Sequence, residues 1–242
     1  MSEPVRAPDD THRTVIIGRT GEGKTVRALD ILSRMNFDEI PWVMIDYKGD
    51  PTLIDLVRRS KGKIRTIKVT DKPPRNPGLY YMHPMPVVDD EHMEKFLWAV
   101  HKQHEVGLFI DEGYAMPKYG ESKAFTVILT QGRALHIPVI CLYQRPVWMS
   151  RFAIASSDFR CLMKLDEKRD EITAGQYVRA ANTPKGPIGA KEMELLPKYY
   201  SLWHDVGEGK ASILSPAPPP DVVIEKIKAR LQPQHQRQGM LV

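Results

Sequence analysis

The feature that most constrains this chain is the octet Gly18-Arg-Thr-Gly-Glu-Gly-Lys-Thr25. It sits between an apolar run and an amphipathic segment. Upstream, Arg13-Thr-Val-Ile-Ile17 is short, β-branched and closed by a glycine, the pattern of a buried strand. Downstream, Val26, Leu29, Ile31 and Leu32 recur at helical spacing between Lys24 and Met35, with Arg27 and Arg34 on the other side. The octet satisfies G-x-x-x-x-G-K-[ST] at every fixed position, in the strand–turn–helix setting that the pattern requires. Glycines let successive backbone N–H groups converge on an anion, and the helix starting near Lys24 adds the positive end of its dipole. On this reading Gly18, Arg19, Thr20, Gly21, Glu22, Gly23, Lys24 and Thr25 cradle the phosphates of a nucleoside triphosphate, ATP for instance. Lys24 is then a point charge on the outer phosphates, and the Thr25 hydroxyl a ligand for Mg²⁺. The bland alternative is a chance match in a glycine-bearing turn, which the flanking strand and helix argue against.

The rhythm of the remaining sequence fits an α/β fold. Trp42-Val-Met-Ile45, Ile64–Val69, Val106–Ile110, Pro138–Tyr143 and Phe159–Leu165 read as strands. Helices are expected over Thr52–Arg59, Asp90–Gln103, Phe125–His136, Asp166–Ala174 and Asp221–Leu231. Strands alternating with helices from residue 13 to 165 predict a mostly parallel sheet with helices on both faces. Tyr199–His204 and Ala211–Leu214 predict a small closing β-hairpin around the Gly207–Gly209 turn. Pro73, Pro74, Pro77, Pro84 and Pro86 crowd residues 70–90, which are expected to form an extended surface excursion. The domain division that follows is 1–12 as a disordered lead-in, 13–215 as one nucleotide-binding domain, and 216–242 as a proline linker, a mobile short helix and a polar tail.

Composition excludes several classes. With 242 residues, 42% hydrophobic and 27% charged, the chain is long and apolar enough for one ordinary core, which rules out wholesale disorder. Two cysteines, Cys141 and Cys161, cannot build a disulfide framework or a four-cysteine zinc module. No apolar run approaches the ~20 residues of a membrane helix, and the polar start gives no signal peptide. The net charge of +5 leans mildly toward an anionic partner.

Further residues carry chemistry. Leu108-Phe-Ile-Asp111-Glu112 is an apolar strand ending in two carboxylates. Beside a phosphate loop, Asp111 is placed to hold Mg²⁺ and Glu112 to activate water as general base. Gln144 ends the Pro138–Tyr143 strand, where its amide either bonds the attacking water and the γ-phosphate or simply closes a strand end. Arg133 lies beyond the preceding helix. It is either a solvated helix terminus or an arginine finger for a phosphate bound by a neighbouring copy.

Taken together, GRTGEGKT, Ile45-Asp-Tyr-Lys-Gly49, Phe109-Ile-Asp-Glu112, Gly132-Arg133 and Tyr143-Gln-Arg-Pro146 resemble the FtsK–HerA superfamily of ring-forming P-loop ATPases over about residues 13–165. The small size is most similar to the genome-packaging ATPases of tailless, membrane-containing phages and viruses. Tyr143 stands where that superfamily commonly has threonine. The resemblance implies a RecA-like domain, with Lys24 and Thr25 on nucleotide and Mg²⁺, Asp111 and Glu112 as the Walker B pair, Gln144 as sensor and Arg133 as the finger in trans. It further implies a homo-hexameric ring that hydrolyses ATP to move double-stranded DNA into a capsid. Capsid-vertex or viral membrane proteins would be partners, and the host cytoplasm or the virion the location. Arg145 is a second finger candidate, with pairing to a carboxylate of its own subunit as the competing role. A conjugation or filamentous-phage export ATPase and a small-molecule kinase are the alternative readings. The kinase reading lacks a role for Glu112.

Two stretches are candidates for DNA contact. Arg58 to Lys68 concentrates six cations, which suit either phosphate contacts or a protected strand edge. The Met116–Lys123 loop, with Lys118 and Tyr119, follows the acidic pair and is expected to reach a central pore. His101 and His104 read as a solvated helix face, and Trp42 and Trp98 as core.

Overall fold

Short β-branched and aromatic runs, each too apolar to sit at a surface, line up as the centre of one sheet. The structure, a computed structural model, describes residues 5–117 and 121–231. The strands are β1 (Arg13–Ile17), β2 (Pro41–Ile45), β3 (Arg65–Thr66), β4 (Gly78–Met82), β5 (Gly107–Ile110), β6 (Val139–Tyr143), β7 (Phe159–Leu162), β10 (Ser201–Asp205) and β11 (Lys210–Leu214). Their order is β11-β10-β7-β1-β6-β5-β2-β4-β3. β1 to β7 run parallel, and the β10–β11 hairpin extends the same sheet antiparallel to β7. A separate two-stranded sheet pairs β8 (Ala181–Thr183) with β9 (Gly186–Ile188), an element the sequence pattern did not suggest.

Alternation along the strands divides the core. Val15 and Ile17 of β1 face one layer while Ile16 faces the other. The first layer is α3 (Asp90–Gln103), α4 (Lys123–Gln131), α5 (Arg151–Ala155) and α6 (Lys168–Gly175). The second is α1 (Lys24–Leu32), α2 (Pro51–Arg59) and α7 (Pro220–Arg230). This is the sandwich that the strand–helix rhythm predicts.

Four expectations are corrected. Residues 70–90 are not all excursion: β4 lies inside the sheet between β2 and β3, with Leu79, Tyr80 and Met82 buried. The five prolines bracket it and leave Gly78–Met82 free to donate ladder hydrogen bonds. The lead-in is packed from residue 5 onward. Arg6 pairs with Asp205 at 3.2 Å and lies over the Phe159 ring, and His12 is buried and 2.6 Å from Asp9. The C-terminal helix is docked on its own domain: Val223, Ile224 and Ile227 of α7 are buried against the layer of α1 and α2. Trp98 is 42% exposed, because it faces outward between the buried Leu97 and Val100 of α3. The polar tail from 232 onward lies outside the described residues.

The α7 dock also accounts for part of the basic stretch. Arg59 pairs with Asp55 at 3.3 Å on its own helix and with Asp221 and Glu225 of α7 at 2.5 Å each. Lys63 Nζ donates to the Leu231 carbonyl at 3.0 Å. These cations clamp α7. Replacing the fully buried Ile227 by alanine leaves a cavity beneath α7. It is expected to cost about 2–5 kcal/mol, read as a lower urea midpoint. An unchanged midpoint would mean that the helix is not seated there.

Candidate nucleotide site

In a parallel sheet the strand ends that carry ligands all lie along one edge. Here the ends of β1, β2, β5 and β6 meet at a cleft of about 590 Å³. The Gly18 N–H donates to the Tyr143 carbonyl at 3.2 Å, and β1 pairs with β6 so that Ile17 faces Tyr143. Gln144 therefore emerges next to the phosphate loop. Thr20, Gly21, Gly23, Lys24, Thr25, Asp111 and Gln144 all line the cleft.

Gly23 caps α1 in the left-handed region at φ 83°, where a side chain would be strained and would meet the Tyr199 ring at 3.2 Å. Lys24 Nζ donates to the Arg19 carbonyl at 2.9 Å, folding back over its own loop. Gly18, Arg19 and Glu22, expected in the cradle, do not line the cleft. The Arg19 side chain pairs with Glu22 at 2.9 Å and Asp166 at 3.3 Å, which staples the loop from outside. Any contact of these three with phosphate is left to their backbone.

The carboxylates cluster around Thr25. Its hydroxyl lies 3.0 Å from Asp50 and 3.3 Å from Asp111. Asp50 also caps α2, accepting from the Thr52 N–H at 2.8 Å. Asp46 shapes the turn between β2 and α2. Its carboxylate accepts the N–H groups of Lys48, Gly49 and Asp50 and the Tyr81 hydroxyl. That turn aims Lys48 at Glu112, with Nζ 2.5 Å from Oε2. The sequence pattern missed Lys48 and Asp50 as site residues. The Ile45–Gly49 motif is the signal in the sequence that points to them.

Electrostatics match this crowding. Burial pushes the Asp111 carboxyl up to about 6. Asp50, Asp46 and Glu112 add to the rise, and Lys48 opposes it. Asp111 Oδ2 and Glu112 Oε1 are buried without hydrogen-bond partners. A hard cation that takes one or two carboxylates plus phosphate oxygens fits this set of oxygen donors. Burial first, then Lys48, depresses the Lys24 ammonium to about 8 against the pull of Glu112, Asp111 and Glu22.

The other half of the cleft is apolar, made by Val26, Met163, Tyr199 and residues 216–220. The supposed proline linker is therefore a wall. Arg27 Nη2 donates to the Ser215 carbonyl and pins the wall to α1, so this arginine is buried, not on a solvent face. Tyr143 is buried with its ring over Gly113, where a Cβ would come within 2.3 Å of it. The aromatic residue at this position thus presses on the segment just after the acidic pair.

Arg133 lies elsewhere. It precedes β6 at the opposite edge of the sheet, a strand length or ~15 Å from the cleft. It is exposed, with Asp158 at 3.9 Å. It does not line the nucleotide cleft of its own chain. Arg145 is committed within its chain to Asp170 at 2.9 Å and to Glu167, and lies over the Trp148 ring. Among the described residues no histidine, cysteine or carboxylate group of three or more forms a metal cluster, and His101 bonds Gln131. Lys118 and Tyr119 lie outside the described residues.

A buried lysine with a depressed pKa favours the fold more as pH rises, because the unfolded chain holds the proton longer. The contribution of Lys24 is fully unfavourable below pH 8 and is relieved between 8 and its ordinary 10.5. A polyanion in the cleft reverses the depression. Above pH 8, binding of a non-hydrolysable ATP analogue is expected to take up a proton. Calorimetry in buffers of different ionisation enthalpy reads this uptake, and Lys24→Met is expected to abolish it.

Comparison with known proteins places these features. No protein-family model matches the chain. The chain is 36% identical over 222 residues to the DNA packaging ATPase P9 of Enterobacteria phage PRD1, spanning 92% of this chain and 94% of the relative. Among solved structures, it is similar to the genome packaging NTPase B204 of Sulfolobus turreted icosahedral virus 2 in complex with AMPPCP. The TM-score is 0.62 and the identity 18%, over 86% of this chain and 98% of that one. It also resembles EssC (ATPases 2 and 3) of Geobacillus thermodenitrificans, with TM-score 0.58 and 14% identity, over 91% of this chain and 43% of that one. These two structural likenesses speak to the fold.

Proposed function

Because the chain belongs to the family of the DNA packaging ATPase P9, we propose that it is an ATP-hydrolysing motor that drives double-stranded DNA into a viral capsid. The observation that carries this reading is one cleft uniting a phosphate loop, the buried Asp111 and a strand-end glutamine, with Glu112 tied to the cleft residue Lys48 just behind it.

In the proposed mechanism the triphosphate lies along the amides of Thr20–Thr25, and its base enters the apolar half between Tyr199 and the 216–220 wall. Thr25 Oγ1, Asp111 and Asp50 would hold Mg²⁺, which neutralises charge on the outer phosphates. Lys24 leaves the Arg19 carbonyl for the phosphate oxygens. Glu112 accepts the proton of the attacking water. It does so once Lys48, now 2.5 Å away, turns toward the incoming γ-phosphate, the stronger anion. Gln144 donates to the γ-phosphate and orients the water, so phosphate loss is felt at the end of β6.

Arg133 sits too far from its own cleft to act there. We assign it to the cleft of an adjoining copy, as a fork that stabilises charge on the leaving phosphate. A contact in trans needs a closed assembly, and a homo-hexameric ring meets it. A capsid vertex or viral membrane protein would anchor the ring, in the host cytoplasm and then the virion. No helix among the described residues is long and apolar enough to cross a membrane. We infer that residues 13–215 form the ATPase domain, with the packed segments on either side as its extensions.

Glu112→Gln is expected to hold an ATP analogue about as tightly as the parent and to lose turnover by ~10²-fold or more. Equal turnover would remove Glu112 as the base. Duplex DNA is expected to stimulate the ATPase of an assembly whose mass is a multiple of one chain. A small-molecule kinase would instead be a monomer or dimer, idle without an acceptor. Lys24→Met and Arg133→Ala are each expected to be inactive. Mixed in one ring, they should recover part of the rate, because some interfaces then join an intact loop to an intact arginine. Failure to recover would place the finger elsewhere.

A further inference from the structure

On the edge of the sheet opposite the nucleotide cleft, a second cavity of about 260 Å³ opens between the start of β7, the end of β10 and the chain leaving α6. β7 and β10 are antiparallel with His204 opposite Arg160, which puts both side chains on one face. Both line the cavity, and both are more than nine-tenths buried, at 7% and 4% exposure for Arg160 and His204. Arg179 closes it from the outside, with Nη1 3.3 Å from the Gly209 carbonyl.

Its chemistry is one-sided. No carboxylate lines the cavity. Asp205, the next residue of β10, points to the other face of the strand, where Arg6 holds it. Arg160 donates to the carbonyls of Ile154 and Tyr177 and to the Ser157 hydroxyl, all neutral acceptors. Neither ring nitrogen of His204 makes a well-formed hydrogen bond. Burial, then Arg160 and Arg179, hold its imidazole below the ordinary range against the weaker pull of the Tyr177 carbonyl and Asp205. A buried cation without a counter-charge, Arg160, and a buried imidazole without a well-formed hydrogen bond, His204, both cost stability. An anion in this space answers both. The guanidinium N–H groups that Arg160 and Arg179 do not spend on these neutral acceptors, with a ring N–H of His204, suit a tetrahedral oxyanion. At ~30 Å³ per water, the volume holds such a group and several waters.

We propose that the Arg160–Arg179–His204 cavity is a second phosphate site, separate from the nucleotide cleft. Its ligand is a phosphate group, supplied either by a DNA backbone or as free phosphate.

The test uses the full chain saturated with a non-hydrolysable ATP analogue, so that the phosphate loop is filled. Equilibrium dialysis against radiolabelled inorganic phosphate is expected to show one saturable site per chain. Arg179→Gln and His204→Gln are each expected to weaken it by ~10-fold or more, with binding of the analogue unchanged. Arg179 is exposed, so its variant should fold even if His204→Gln does not. Adding a short DNA duplex separates the sources: displacement of the label assigns the site to backbone phosphates, and no displacement assigns it to free phosphate. Absence of saturable binding, or binding indifferent to Arg179→Gln, would overturn the proposal. The analogue is measured on the same samples, so a failed nucleotide site is distinguishable from a failed second site.

Discussion

Parallel alignment of β1, β2, β5 and β6 is the constraint from which the rest follows. Because these strands run the same way, their C-terminal ends release the chain at one edge. The phosphate loop, the Asp46–Asp50 turn, the acidic pair and Gln144 are four such exits. None is close to another in sequence. Burial on both faces by two helical layers holds the register, and a slip of one residue would turn Asp111 or Gln144 into the core.

At that edge, charge is concentrated beyond what the protein alone balances. Four carboxylates (Asp46, Asp50, Asp111 and Glu112) surround two lysines. Asp46 is hydrogen-bonded by donors of its own turn and by the Tyr81 hydroxyl, and Glu112 is paired with Lys48. Asp111 and Lys24 are left with proton affinities moved in opposite directions, both toward neutrality. Groups displaced this way are primed for a ligand that carries both negative phosphates and a divalent cation. The second cavity on the far edge has two arginines and no carboxylate in its lining, lacks this balance of signs, and so points to an anion alone.

The apolar half of the cleft depends on a remote part of the chain. Arg27 ties α1 to Ser215, and Arg59 ties α2 to α7. Between those ties, residues 216–220 form one wall of the cleft. A proline-rich segment serves here because it holds an extended shape with little entropy left to lose.

Much of the site was readable along the chain, because contiguous motifs report local physics. Gly18–Thr25 announces a phosphate cradle through its glycines and its strand–helix flanks. Asp111–Glu112 and Gln144 each announce themselves by standing where an apolar run stops. What the linear pattern left open depended on distant partners. Lys48 looks like any turn lysine until Glu112 is 2.5 Å away. Residues 216–220 read as a linker because nothing local says that α7 will dock and set them as one wall of a cleft. β4 was hidden since proline counts over a window say nothing about the free residues between them. Arg160 and His204 lie 44 positions apart and become one cavity only when β10 pairs with β7. Local propensity sets which elements form. Long-range pairing and helix docking set which charges meet, and that part is written in no single stretch of residues.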